Sequence, residues 1–177
     1  MAQHYNSFIA LQMAQAVGHL YRHGVVHFDL NLRNFVVADD YRIVLTNFNA
    51  AKMVGKHFDK DMTLNVYHGT NLRGDASHHS PEVLRAAAAA AQLNPKDPTA
   101  HVKMPLRMQP SFALGVLLFE IAVGEHPIAE YPADYSVPQF DYIHFGALQR
   151  FHPEFKRVVV QLLRRDPTNR MSVADAC

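Results

Sequence analysis

The residues richest in chemistry sit in one stretch, His27-Phe28-Asp29-Leu30-Asn31-Leu32-Arg33-Asn34. An imidazole, a carboxylate, two carboxamides and a guanidinium fall within eight positions there. Such a run offers a proton acceptor and several oxygen donors. The plainer reading makes Asp29 a polar loop residue without chemistry. Histidine supplies a second group: the chain has 12. His19 and His23 stand i, i+4, a spacing that puts two rings on one helix face as zinc ligation needs, with His27 nearby. Gly24 breaks that face before His27, however, and no carboxylate or cysteine completes the set. His78 and His79 read as loop residues rather than ligands.

These residues need a frame. Asn6 and Ser7 suit a helix N-cap, Ile9, Met13, Val17 and Leu20 recur at helical spacing, and Gly24 closes the pattern; a helix over 7–23 is predicted. Phe35-Val36-Val37 and Ile43-Val44-Leu45, joined by Ala38-Asp39-Asp40-Tyr41, predict a small hairpin. Residues 47–80 carry no sustained period and read as one long loop, a length usually kept for function. Pro81-Glu82 opens a helix that runs into Ala86–Ala91, a tract whose high helix propensity allows a solvated extension. Residues 94–109 read as a polar, exposed insertion. A helix follows from Pro110 to Val123, apolar on nearly every side and therefore buried. Residues 125–140, with Pro127, Pro132 and Pro138, read as loop. A helix with Phe155, Val158, Val159, Leu162 and Leu163 on one face follows Pro153, Arg164-Arg165 form its solvated end, and Ser172 caps a last helix.

The bulk numbers bound the class. The chain has 177 residues, 49% hydrophobic and 10% aromatic, enough for one domain with a real core. Seventeen basic against 16 acidic residues, a net charge of +1, give no electrostatic reason to expect nucleic acid or an anionic membrane. The single cysteine, Cys177, excludes an intrachain disulfide. The N-terminal residues lack a signal-peptide pattern, and the most apolar run, 112–123, is too short to span a bilayer and holds Glu120. The expectation is one compact, soluble, intracellular (cytoplasmic) unit.

Several motifs then align in order. His27, Asp29, Leu30 and Asn34 match H-R-D-L-x-x-x-N. Asn47-Phe48-Asn49 stands where D-F-G would follow, and Ser80-Pro81-Glu82 where A-P-E would. Ala113-Leu114-Gly115-Val116 falls in the buried helix, and Leu163-Arg164-Arg165-Asp166-Pro167-Thr168-Asn169-Arg170 is similar to L-x-x-D-P-x-x-R. Over nearly its whole length the chain resembles the C-terminal lobe of a eukaryotic-type protein kinase, with degenerate, pseudokinase-like motifs. The resemblance implies a mainly α fold with a small β-hairpin. It implies a catalytic loop at 27–34, an activation segment at 47–82, an insertion at 86–109 and a central helix at 110–123, with the N-terminal lobe absent.

The same resemblance implies the site. Asp29 takes the position of the base that accepts the substrate hydroxyl proton. Asn34 and Asn47 take the metal positions, Asn47 replacing an aspartate and so weakening the hold on Mg²⁺, which favours anionic oxygen. Asn31 replaces a lysine that steadies the transferred phosphate; losing one such group lowers the rate by roughly 10²–10³. Phe28 replaces an arginine used to dock a phosphorylated loop, Asn49 replaces the D-F-G glycine, and Pro110 replaces an aspartate that holds the catalytic loop, which implies a looser loop. Val36 becomes the adenine wall, His27 and Phe48 stack in the hydrophobic spine, and Glu82 and Arg170 form a buried ion pair. ATP and Mg²⁺ are the family's cofactors, expected to bind weakly or not at all here, where one wall of the ATP pocket is present. The function expected is a pseudokinase scaffold or regulator with a protein partner or protein substrate. The alternatives are a fragment of an active Ser/Thr kinase, suggested by the end one turn into a helix, and a small His-rich metal-binding protein.

Overall fold

The computed structural model describes residues 2–55, 62–128 and 145–176, with side chains from residue 8 onward. Helix α1 spans Ala2–Arg22, starting before the predicted cap at Asn6-Ser7. Nothing between Ala2 and Tyr5 breaks a helix, so the chain helicalises through the polar pair. Its stripe of Met13, Ala14, Val17 and Tyr21 is buried, and Gly24 turns out of the helix at φ +68°.

Three antiparallel ribbons follow. Strand β1 (Val25–Val26) pairs with β4 (Lys52–Met53), and β2 (Phe35–Val37) pairs with β3 (Ile43–Leu45) as the predicted hairpin. Strand β5 (Thr63–Val66) pairs with β6 (Val102–Pro105), Val66 opposite Val102. Residues 47–80 are therefore not one loop. They hold β4, β5 and two short 3₁₀ turns at 48–50 and 76–78. The strand partners lie far away in sequence, so no local period announces them.

Helix α2 (Pro81–Ala91) packs on the β5–β6 ribbon. This corrects two readings. The alanine tract is not a solvated extension: Ala86 and Ala90, one turn apart, are buried with Val83, and their small side chains let the helix lie close to β6. Nor is 94–109 an exposed insertion throughout, since Met104 and Leu106 are fully buried. The alternation Val102, Met104, Leu106, Met108 is a strand signal hidden by Lys103 and Arg107 between its members.

Helix α3 (Gln109–Val123) is buried on all sides from Gln109 to Phe119. Around it gather α1, α4 (Pro153–Leu162) and α5 (Val173–Ala176). Each fully buried Phe or Leu here contributes about 1.5–3 kcal/mol. His152 caps α4 through its ring, and Ser172 Oγ accepts from the Asp175 N–H at 3.2 Å. Pro132 and Pro138 lie outside the described residues. The architecture is mainly α with small sheets, and α3 is the post against which the 27–34 and 75–82 segments lean.

Candidate functional site

The segment 27–34 is held from several directions. His27 is buried, its Nδ1 accepting from the Asp29 N–H (3.3 Å) while Nε2 donates to the Thr46 carbonyl (3.0 Å). Burial pushes this imidazole below its ordinary pKa, against the opposing pull of the Thr46 carbonyl and Asp29. Its ring meets Phe48 edge-on, with centroids 4.9 Å apart. Phe28 is buried at φ +64°, a conformation that costs a side-chain-bearing residue about 1–2 kcal/mol. Its carbonyl accepts from His79 Nε2 (3.1 Å), and burial also drives the pKa of His79 down.

The Asp29 carboxylate is enclosed by neutral donors. Oδ1 accepts from Asn31 Nδ2 (2.9 Å) and from the Asp75 N–H (3.0 Å). Oδ2 accepts from Asn34 Nδ2 (2.8 Å) and Asn47 Nδ2 (3.2 Å). The amide oxygens are engaged in turn: Asn34 Oδ1 accepts from Asn47 (3.1 Å), Asn47 Oδ1 from Asn49 (3.0 Å), and Asn31 Oδ1 from the Arg33 N–H (3.1 Å). The cluster holds one carboxylate and a chain of carboxamides in which the oxygens of Asn31, Asn34 and Asn47 each already face an N–H. That donor set does not fit Mg²⁺, which demands several free, preferably anionic oxygens in strict octahedral geometry.

Sequence reasoning thus named Asp29, Asn31, Asn34 and Asn47, and the fold brings them together. Val36 is not part of the cluster; it lies half-exposed on β2, opposite Val44. The left-handed residue near Asn47-Phe48-Asn49 is Asn47 itself (φ +62°), while Asn49 sits inside the 3₁₀ turn. Three supporting residues went unread. Asp75 delivers its N–H to Asp29 and accepts from Ser77 N–H (3.0 Å) and Oγ (2.6 Å). Burial pushes its carboxyl up, but these bonds, with His78 and Arg33, outweigh that and hold it low. Gly74 precedes it at φ +94°, where a Cβ would stand 2.0 Å from the Phe28 carbonyl oxygen. Buried Gln109 accepts from the Ser80 N–H (2.7 Å) and donates to the His78 carbonyl (3.0 Å), tying the 78–80 segment to α3 beside Pro110. His79 of that segment donates to the Phe28 carbonyl, and the Asp75 N–H donates to Asp29. The Asp-Ala-Ser turn after a glycine was the legible signal.

Glu82 and Arg170 meet in the interior. All five guanidinium N–H groups are spent: two on the Glu82 carboxylate and three on the carbonyls of Met108, Arg164 and Arg165. The expected solvated end at Arg164-Arg165 therefore contributes its backbone to the interior. Of the histidines, His19 and His23 stack on each other at 4.2 Å, and His27 turns away to Thr46. His78 and His79, read as loop residues, are both buried, and the former closes a 3₁₀ turn.

The family model described as Protein kinase domain matches residues 1–177. The 3-phosphoinositide-dependent protein kinase 1 of Mus musculus is 25% identical over 167 residues, covering 93% of this chain and 25% of the relative. Serine/threonine-protein kinase 1 of Lymantria dispar multicapsid nuclear polyhedrosis virus is 27% identical over 121 residues, covering 68% and 34%. The chain thus spans about a quarter to a third of those relatives' lengths. Among solved structures, the ROP18 kinase domain in complex with AMP-PNP and sucrose superposes with a TM-score of 0.63 (22% identity; 97% of this chain, 38% of that one). ROP2 from Toxoplasma gondii, described as having a protein-kinase fold and no enzymatic activity, superposes at 0.68 (16% identity; 99% and 41%).

Proposed function

The chain belongs to the protein kinase domain family, and from that premise we propose that it is a catalytically impaired, kinase-like module that works as a scaffold or regulator of a protein partner. The observation that carries this reading is the amide enclosure of Asp29. The base position keeps its carboxylate, but four N–H groups occupy it. Asn34 and Asn47 stand in the metal positions with their oxygens facing other amides. Asn31, in the place of a lysine, donates to Asp29 and brings no positive charge. Phosphoryl transfer depends on neutralised phosphate charge, and this arrangement supplies none. In this reading Mg²⁺ and ATP bind weakly or not at all, even with Val36 in the adenine-wall position. No described helix is long and apolar enough to cross a membrane.

A second reading, the C-lobe part of an active Ser/Thr protein kinase, is favoured by the retained Asp29–Asn34 contact and by the greater length of the protein-kinase relatives. One experiment can overturn the first reading. The purified chain is incubated with Mg²⁺, labelled ATP and a generic protein substrate, beside Asp29→Ala. No transfer above the variant's background is expected; transfer that Asp29→Ala abolishes would overturn the first reading in favour of the second.

A further inference from the structure

The most concentrated set of metal-binding side chains in the described residues lies outside the Asp29 cluster. His78, Glu120 and His126 each present one ligand atom, all within 4.8 Å of one another. His78 Nε2 already stands 3.3 Å from Glu120 Oε2. Ligands around a tetrahedral Zn²⁺, each about 2.0–2.2 Å from the ion, are about 3.3–3.5 Å apart, so the His78–Glu120 pair is already at ligand spacing and the His126 ring must close in by at most about 1.5 Å. The rings of His78 and His126 meet edge-on at 5.5 Å.

The surroundings match what metal-bound histidines require, an acceptor for the second ring nitrogen. Nδ1 of His78 faces Ser77 Oγ at 2.9 Å and the Asp75 carboxylate at 3.9 Å, leaving Nε2 toward Glu120. Nδ1 of His126 lies 3.1 Å from both the carbonyl and the N–H of Ile128, and its Nε2 faces the Ser77 carbonyl at 3.2 Å; binding an ion through Nε2 gives up that contact and requires the tautomer whose Nδ1–H donates to the Ile128 carbonyl. The three line a cleft of about 360 Å³ whose wall also carries Asn31, Asp75 and Glu125. Its carboxylates outnumber its one guanidinium, Arg33, which is itself paired with Asp75 at 3.4 Å. The potential therefore favours a cation.

We propose that His78, Glu120 and His126 bind a Zn²⁺-class divalent transition-metal ion, with the fourth coordination position open to this cleft. Two imidazoles and a carboxylate select such an ion over Mg²⁺ or Ca²⁺, which prefer oxygen throughout. The ion would pin the 76–78 turn to the C-terminal end of α3 and to the segment after it. That turn follows Asp75, whose N–H rests on Asp29, so metal binding would stiffen the support of the Asp29 cluster. This site is independent of whether the chain transfers phosphate.

The test uses the full chain with Zn²⁺ followed by calorimetry, and with Co²⁺ followed by its visible absorption, which reports tetrahedral imidazole–carboxylate coordination. One ion per chain is expected, with a raised melting temperature. His126→Ala and the isosteric Glu120→Gln should each weaken binding by more than about tenfold. The doubly substituted His19→Ala, His23→Ala chain should bind as the parent does. Circular dichroism of each variant guards against loss of fold, and Glu120→Gln keeps the test open if His126→Ala is unstable. Binding that survives in both site variants, binding lost only with His19 and His23, or no binding by the parent would each overturn the proposal.

Discussion

The Glu82–Arg170 contact and the Asp29 cluster are both centred on a carboxylate, and the two are answered in opposite ways. Glu82 meets a full guanidinium, and each of the five N–H groups of Arg170 has an acceptor. Asp29 meets carboxamides and a backbone N–H, and among the described residues no cation pairs with it. The first arrangement is what stabilising a fold requires. The second satisfies hydrogen bonding without the charge that phosphate chemistry requires. The difference teaches that two carboxylates of one chain can be held in unlike ways, and under the proposed reading it makes the determinants of the fold separable from those of the family's chemistry.

The comparison can be broken most severely at the ion pair. Arg170→Ala leaves the buried Glu82 carboxylate without its guanidinium and removes a donor from the carbonyls of Met108, Arg164 and Arg165, and should lower stability by about 3–5 kcal/mol, read as a large fall in melting temperature. An unchanged melting temperature would remove the ion pair from the account. Gly74→Ala comes next. A Cβ at φ +94° would collide with the Phe28 carbonyl, so a loss of roughly 2–3 kcal/mol is expected, with Asp75 displaced from Asp29.

Asn47→Asp sharpens the contrast directly, because it puts a second carboxylate beside Asp29 in place of an amide 3.2 Å away. It should destabilise the chain by about 1–3 kcal/mol, and millimolar Mg²⁺ should restore what was lost, while the parent chain shows no Mg²⁺ response. The smallest effect is the response to pH. His27 and His79 titrate below the ordinary value of 6.5 because they are buried. Above 6.5 folded and unfolded states are both neutral there. Below it the unfolded chain takes up protons that the folded chain refuses, so stability falls as pH drops. The slope is at most about 1.4 kcal/mol per pH unit for each histidine. Denaturation at stepped pH between 7 and 5 reads it.

Much of this was legible in the sequence for identifiable reasons. Helix α3 is apolar on every face, and the hairpin at 35–45 is bounded by turn chemistry, so local pattern sufficed. The partners Glu82 and Arg170 are 88 residues apart and could be paired only through the family resemblance. Strand β6 was lost because Lys103 and Pro105 flank its one buried residue, Met104, and β5 because its partner is distant. The burial of Ala86 and Ala90 was missed since alanine signals a helix but not which face packs. At the site, residue types revealed which groups gather around Asp29 but not the direction of the amides. Nor did they reveal that His78 folds onto Glu120 and His126, which depends on where α3 ends.

Asp29 is either a hydrogen-bond hub or a working base, and Asp29→Asn separates these by thermal denaturation of variant and parent, run beside a phosphoryl-transfer assay. A hub predicts a stability loss of about 2 kcal/mol, because the new amide turns N–H groups toward the donors of Asn31, Asn34, Asn47 or Asp75, with no transfer activity to lose. An unchanged melting temperature, together with Mg²⁺-dependent phosphoryl transfer by the parent that the substitution abolishes, would contradict it.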